Sequence, residues 1–257
     1  MTPGVPKTAL CEWHAATAPY AIIVGVYNEG EKFTRQLAAL QPYRGMGDLI
    51  VADGGSSDGV TSPEAIAGKA RALIVNEDVQ RGLSVQYRAA LHYALTQGYA
   101  GVIMMDGNGK DGADAIPRFI EKLNQGYDFI QGSRFLPGGK HENTPPDRVL
   151  GIRFVFNPIM NAASGFCYTD GMNGFKAASR GFLTDRRVQP FRDIFVRYSL
   201  QYYFNYIAPR LGFRVTEIPV SRRYPADGTP YSKISGLGGR LGIMAELLAV
   251  VNGRYNP

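Results

Sequence analysis

The chain alternates short, uninterrupted apolar runs with stretches in which apolar residues recur every three or four positions. YAIIVGVY (20–27) is a β-branched run, and the segment after it switches to helical spacing through Phe33, Leu37 and Leu40. DLIVAD (48–53) leads into the loop GGSSDG (54–59) and a helix opened by Ser62 and Pro63, an N-cap and first-turn pair. ALIVNE (72–77) reads as a third strand. Leu83, Tyr87, Ala90, Leu91, Ala94 and Leu95 then mark one face of a long helix ending near Gly98. AGVIMMD (100–106) is a fourth strand, Ile116, Phe119, Ile120 and Leu123 a helix, and YDFIQGSRF (127–135) a fifth strand. Strands apolar on both faces and separated by amphipathic helices predict an α/β fold with a mainly parallel central sheet, right-handed crossovers and flanking helices. Ligands of such a sheet bind beyond the C-terminal ends of its strands.

Past residue 135 the pattern loosens. A Pro/Gly-rich loop (136–147) precedes an aromatic-rich, partly helical stretch (154–206), a strand RVTEIPV (214–220), an Arg- and Pro-containing loop (221–231) and a final helix. The organisation predicted is a leader (1–19) and a single domain (20–257) made of halves 20–135 and 136–257. In the last helix Leu241, Ile243, Met244, Leu247, Leu248 and Val251 share a face, interrupted by Glu246 and flanked by Arg240 and Arg254. That face either packs on the domain or rests at a membrane surface.

Composition narrows the function classes. With 45% apolar and 19% charged residues the chain is not disordered, and 31 glycines in 257 residues without a collagen period point to tight turns and close backbone approaches. A net charge of +6 favours anionic partners, but Lys and Arg are dispersed and no nucleic-acid reader motif is present. Two cysteines, Cys11 and Cys167, provide neither a disulfide framework nor zinc-type spacing, which suggests a reducing compartment. No signal peptide or spanning segment is legible, so a cytoplasmic location is expected, with peripheral attachment to the cytoplasmic membrane face as its variant.

Asp53 and Asp106 both end predicted parallel strands and both precede glycine, which puts two carboxylates on one edge of the sheet. A carboxylate there can bind a ribose or base, or ligate a hard divalent cation, or simply organise the turn that follows. His14, His92 and His141 lack any motif context. The turn YNEGE after the first strand lacks G-x-G-x-x-G, which excludes a dinucleotide-binding oxidoreductase.

Taken in order, VGVYNEGE (24–31), DGGSSDG (53–59), IMMDGNGKDGADAIPRFIEKL (103–123), GSRF (132–135) and DGMNGFK (170–176) resemble the signatures of the family 2 glycosyltransferases. Within that family the chain is most similar to polyprenyl-phosphate sugar synthases of the dolichol-phosphate mannose synthase type. The resemblance implies the glycosyltransferase A-type (Rossmann-like) fold and an inverting transfer from a UDP- or GDP-sugar to a polyprenyl phosphate or another glycan acceptor. It places Val26, Tyr27, Glu29, Asp53 and Gly55 around the nucleoside, and Asp106, Gly107 and Asn108 at a Mg2+ or Mn2+ ion that bridges the diphosphate. Arg134 would pair with a phosphate, Arg222, Arg223 and Lys233 would close over the donor, and Asp170 would act as base on the acceptor side. One departure stands out: the second acid of the D-x-D triplet is Asn108, a neutral and weaker ligand for a hard ion, with Asp111 and Asp114 nearby to compensate. That departure also motivates an alternative, a nucleotide-sugar-binding partner subunit without transferase activity. Homo-oligomerisation is compatible with either reading.

Overall fold

The computed structural model describes residues 4–226 and 236–257. In chain order the elements are β1 (Thr8–Glu12), β2 (Tyr20–Val26), α1 (Glu31–Leu40), β3 (Asp48–Asp53), α2 (Pro63–Ile66), β4 (Ala72–Asn76), α3 (Leu83–Thr96), β5 (Gly101–Asp106), α4 (Ile116–Asn124) and β6 (Phe129–Ser133). They continue with β7 (Lys140–Glu142), α5 (Pro146–Gly151), a π-helical turn (Ile152–Phe156), α6 (Asn157–Ser164), β8 (Lys176–Ser179), α7 (Arg180–Thr184), α8 (Ser199–Arg210), β9 (Val215–Pro219), β10 (Ser221–Arg223) and α9 (Gly236–Val251). The main sheet has the order β1-β4-β3-β2-β5-β8-β6-β9. It is parallel except at β1, antiparallel to β4, and at β8, antiparallel to both β5 and β6.

The period-2 geometry of a strand explains why the predicted strands are apolar throughout. Ala21 and Ile23 of β2, Ile50 and Ala52 of β3, and Val102 and Met104 of β5 face a core shared with α3, α8 and α9. Their neighbours Ile22 and Val24, Leu49 and Val51, and Ile103 and Met105 face a second core under α1 and α4. Both sides of the sheet are therefore covered, and the strand ends between the helix layers are left to carry function. Ser62 caps α2 as expected, its side chain accepting from the Ala65 amide.

Three expectations need correction. The leader is not separate: Thr8–Glu12 adds an edge strand to the sheet, an assignment hidden because TALCE has no continuous apolar run. DGMNGFK runs into β8, which starts at its last residue Lys176 and separates β5 from β6, although the four residues KAAS are neither β-branched nor aromatic. The face of the last helix is divided. Ile243 and Leu247 pack into the core with Val250, whereas Leu241 and Leu248 stay exposed. Glu246 does not merely interrupt this helix; it accepts a hydrogen bond from the Tyr198 amide (2.9 Å) and ties α9 to the start of α8.

Candidate active site

Strand register sets the stage, because Val26 pairs with Asp53 and Gly25 with Asp106, so β2, β3 and β5 end together. A cavity of about 790 Å³ opens at these ends. Its polar side is formed by Tyr27, Glu29, Gly54, Asp106, Gly107 and Asn108.

The loops after β2 and β3 are laced to each other. Asn28, at φ 49°, accepts from the Ser57 amide (2.7 Å), and its own amide donates to Ser56 Oγ (2.9 Å). Asp53 organises this assembly from below: Ser56 donates to it through both amide (3.1 Å) and hydroxyl (2.5 Å), and Thr61 through its hydroxyl (3.2 Å). Burial raises the Asp53 pKa in spite of those donors. Asp53 and Val26 do not border the cavity. Gly55, at φ +82°, seats the Arg81 guanidinium, whose Nη1 lies 2.2 Å from where a Cβ would stand. Arg81 thereby reaches the cavity wall, held by the carbonyls of Gly54 (2.7 Å) and Asn76 (2.8 Å).

The loop after β5 is organised by cations. Arg222 projects from β10 and donates to Asp106 (3.0 Å) and to Asp111 (2.5 Å), while the Asn108 amide nitrogen donates to Asp106 (3.2 Å). Burial would raise the Asp106 pKa, but Arg222 and Lys110 outweigh it and hold the carboxyl below its ordinary value. Lys110 is only 5% exposed and borders the cavity, with its ammonium 4.9 Å from the centre of the Tyr224 ring. Burial, reinforced by Arg222, lowers its pKa to about 8. Tyr224 reports the sign of the potential: burial would raise its phenol, yet Arg222, Arg148, Lys110 and Arg134 pull it down to about 8. The described lining holds seven Lys and Arg against three Asp and Glu, so the site is built for an anion.

The residues expected to hold Mg2+ or Mn2+ do not fit an ion. The Asp106 carboxylate is engaged by Arg222 and Asn108, Asn108 offers only an amide, and Asp111 is wholly buried against Arg222. Asp114 is exposed and pairs with Arg118 (3.2 Å). Among the described residues no three His, Cys, Asp or Glu side chains converge.

Asp170 also lies elsewhere than expected. It is fully buried, it does not border the cavity, and its two oxygens bind Arg134 at Nε (2.6 Å) and Nη2 (2.8 Å) and at the backbone amide (3.0 Å). An acceptor has no access to it, so it positions Arg134, which does border the cavity. Beneath lies Lys176, wholly buried, its ammonium bonded to Gln131 and to Asn205 (2.6 Å), with its pKa lowered by burial to about 7. Arg223 points away, exposed and paired with Glu142, and Lys233 lies outside the described residues.

The lining also holds a group of apolar side chains. Ile152, Val155 and Phe156 of the π-helical turn face Ile243 and Met244 of α9. Arg148 and Arg197 line the cavity as well, Arg197 beside Glu246 (3.5 Å), and an ion pair between Arg240 and Asp147 (2.5 Å) joins α9 to α5. Sequence reading missed Lys110 and Arg81 as site residues, and it named Ile243 and Met244 without their apolar neighbours on the π-helical turn. Their spacing carries no local signal, and only the packing of distant elements makes them neighbours.

No protein-family model matches the chain. Polyprenol monophosphomannose synthase of Mycolicibacterium smegmatis is 27% identical over 207 residues, 78% of this chain and 76% of that protein. Undecaprenyl-phosphate mannosyltransferase of Micrococcus luteus is 28% identical over 232 residues, 90% of each. Among solved structures, glucosyl-3-phosphoglycerate synthase of Mycobacterium tuberculosis, in complex with Mn2+, uridine diphosphate and glucosyl-3-phosphoglycerate, superposes with a TM-score of 0.64 at 19% identity. It covers 91% of this chain and 79% of that one, a likeness of fold. In sequence the chain is thus similar to polyprenyl-phosphate mannosyltransferases, and in architecture it shares the glycosyltransferase A-type fold.

Proposed function

We propose that the protein transfers a hexosyl group from a nucleoside diphosphate sugar to a polyprenyl phosphate, with inversion at the anomeric carbon. The observation that carries this reading is the two-sided cavity, cationic at the strand ends and apolar between the π-helical turn and α9. A soluble sugar acceptor has no use for the apolar wall, whereas an isoprenoid chain does.

The donor sits at the strand ends, its nucleoside between Tyr27, Glu29 and Gly54 and its diphosphate toward the cations. The acceptor phosphate approaches along the apolar wall, with Arg148 and Arg197 as its partners. A phosphate monoester is mostly ionised at neutral pH, since its second pKa is about 6. Its oxyanion attacks the anomeric carbon from the face opposite the diphosphate, the C–O bond to the diphosphate breaks, and the electron pair passes to the leaving oxygen. No proton has to be removed, which agrees with the inaccessibility of Asp170. Leu150, Phe154 and Leu241, each next in sequence to a cavity-lining residue, are exposed. They supply a peripheral membrane contact through which a lipid reaches the cavity. Among the described residues no helix is long and apolar enough to cross a bilayer.

The test supplies radiolabelled GDP-mannose or UDP-glucose together with undecaprenyl phosphate or soluble sugars. Label moving into the organic phase only with the lipid supports the reading. Transfer only to soluble sugars rejects the acceptor, and nucleotide binding without turnover supports the partner-subunit alternative.

A further inference from the structure

We infer that the donor diphosphate is neutralised by two cations of this chain, the Lys110 ammonium and the Arg222 guanidinium, which take over the charge role of a divalent metal ion. This rests on the proposed reading that the donor is a nucleoside diphosphate sugar.

Four observations converge. The second acid expected of a metal-binding triplet is Asn108, and its amide nitrogen is directed at Asp106 rather than its oxygen (3.2 Å). Asp106 is held by Arg222 at 3.0 Å, so the one remaining carboxylate of the triplet already has a cation beside it. Lys110 stands two residues beyond Asn108, nearly buried and on the cavity wall. Backbone contacts hold that arrangement: the Arg223 amide donates to the Lys110 carbonyl (2.9 Å) and the Gly112 amide to the Ser221 carbonyl (3.0 Å), which fixes β10 against the 106–112 loop.

Charge counting gives the same answer. Asp106 and Asp111 are two carboxylates, and Lys110 and Arg222 together bring the two positive charges that a divalent ion would bring to a pair of acids. An added dication would find both carboxylates already compensated by fixed cations, so the attraction that would hold it there is largely cancelled. As the anomeric C–O bond breaks, charge grows on the departing diphosphate oxygen. An ammonium and a guanidinium already in place stabilise that charge through hydrogen bonds to an ionised acceptor.

Binding of GDP and of UDP to the purified protein is measured calorimetrically, once in EDTA and once in excess Mg2+ or Mn2+. The expected result is that at least one nucleotide binds in EDTA within about twofold of its affinity with metal, and that Lys110→Gln weakens this binding about tenfold. Lys110→Arg, which keeps the charge, restores at least part of the lost affinity. The double variant Asn108→Asp with Lys110→Gln is expected to regain binding only when metal is added. Near-UV circular dichroism confirms that each variant is folded. Binding of the wild-type protein that requires metal overturns the inference and leaves the donor reading standing. Failure of both nucleotides to bind under either condition overturns the donor reading and the inference with it.

Discussion

The loops after β3 and β5 start alike, each with an aspartate at the end of a buried parallel strand followed by glycine, and they end as opposites. The β3 loop closes on itself: Asp53 finds its donors three and eight residues ahead, in Ser56 and Thr61, and turns away from the cavity. The β5 loop gives Asp106 one local donor, the Asn108 amide (3.2 Å), and its charged partner is Arg222, 116 residues further along the chain. One aspartate therefore shapes a turn, and the other anchors a strand of cations at the anion site. The difference teaches that the role of a carboxylate at a strand end is set by where its donors come from.

The largest expected effect comes from breaking the long-range lock. Arg222→Met leaves Asp106 and Asp111 facing each other without their cation, and urea unfolding should show a loss of about 3–5 kcal/mol. Adding Asp111→Asn should recover part of that loss. A loss below about 1 kcal/mol would mean that the two carboxylates do not depend on Arg222.

Asp170 is the second case of a buried aspartate with a distant partner. Asp170→Asn should destabilise the fold by about 3 kcal/mol through Arg134. It should lower turnover while the pH profile of kcat/KM keeps its acid limb. Disappearance of that limb would return Asp170 to the role of base.

The self-contained loop should be cheaper to break. Asp53→Ala orphans the donors of Ser56 and Thr61 and is expected to cost about 1–3 kcal/mol, with a smaller effect on nucleotide affinity than Lys110→Gln. Equal effects on affinity would erase the distinction between the loops.

Lys176 extends the comparison to buried lysines, since unlike Lys110 it does not border the cavity. Its folded pKa of about 7 lies below that of an unfolded lysine, about 10.4. Above pH 7 the unfolded chain therefore binds a proton that the folded protein has released, and stability rises with pH. The slope attributable to Lys176 should be about 1 kcal/mol per pH unit between pH 7.5 and 9. It is read as the difference between urea titrations of the wild type and Lys176→Met, and parallel slopes would refute it. The smallest effect belongs to Arg223→Ala. Arg223 follows Arg222 but is exposed beside Glu142, and neither stability nor nucleotide affinity should change measurably.

By itself, the sequence made five strands legible from residues 20, 48, 72, 100 and 127, within two residues of where they begin in the structure, as well as the helices that cover them. It also placed Asp53 and Asp106 on one edge. Burial on both faces of a parallel strand leaves a local apolar run, and amphipathic helices leave a local period, so neighbouring residues suffice to read them. Even within this grammar β1 and β8 were illegible, because one lacks an apolar run and the other is four residues built around a buried lysine. Only the tertiary structure decided that Asp106 meets Arg222, that Asp170 is sealed behind Arg134, and that apolar side chains of the π-helical turn and α9 share the cavity. A charged side chain takes its role from the partners that satisfy it when water is removed, and the guanidinium partners of Asp170 and Asp106 come from 36 and 116 residues away.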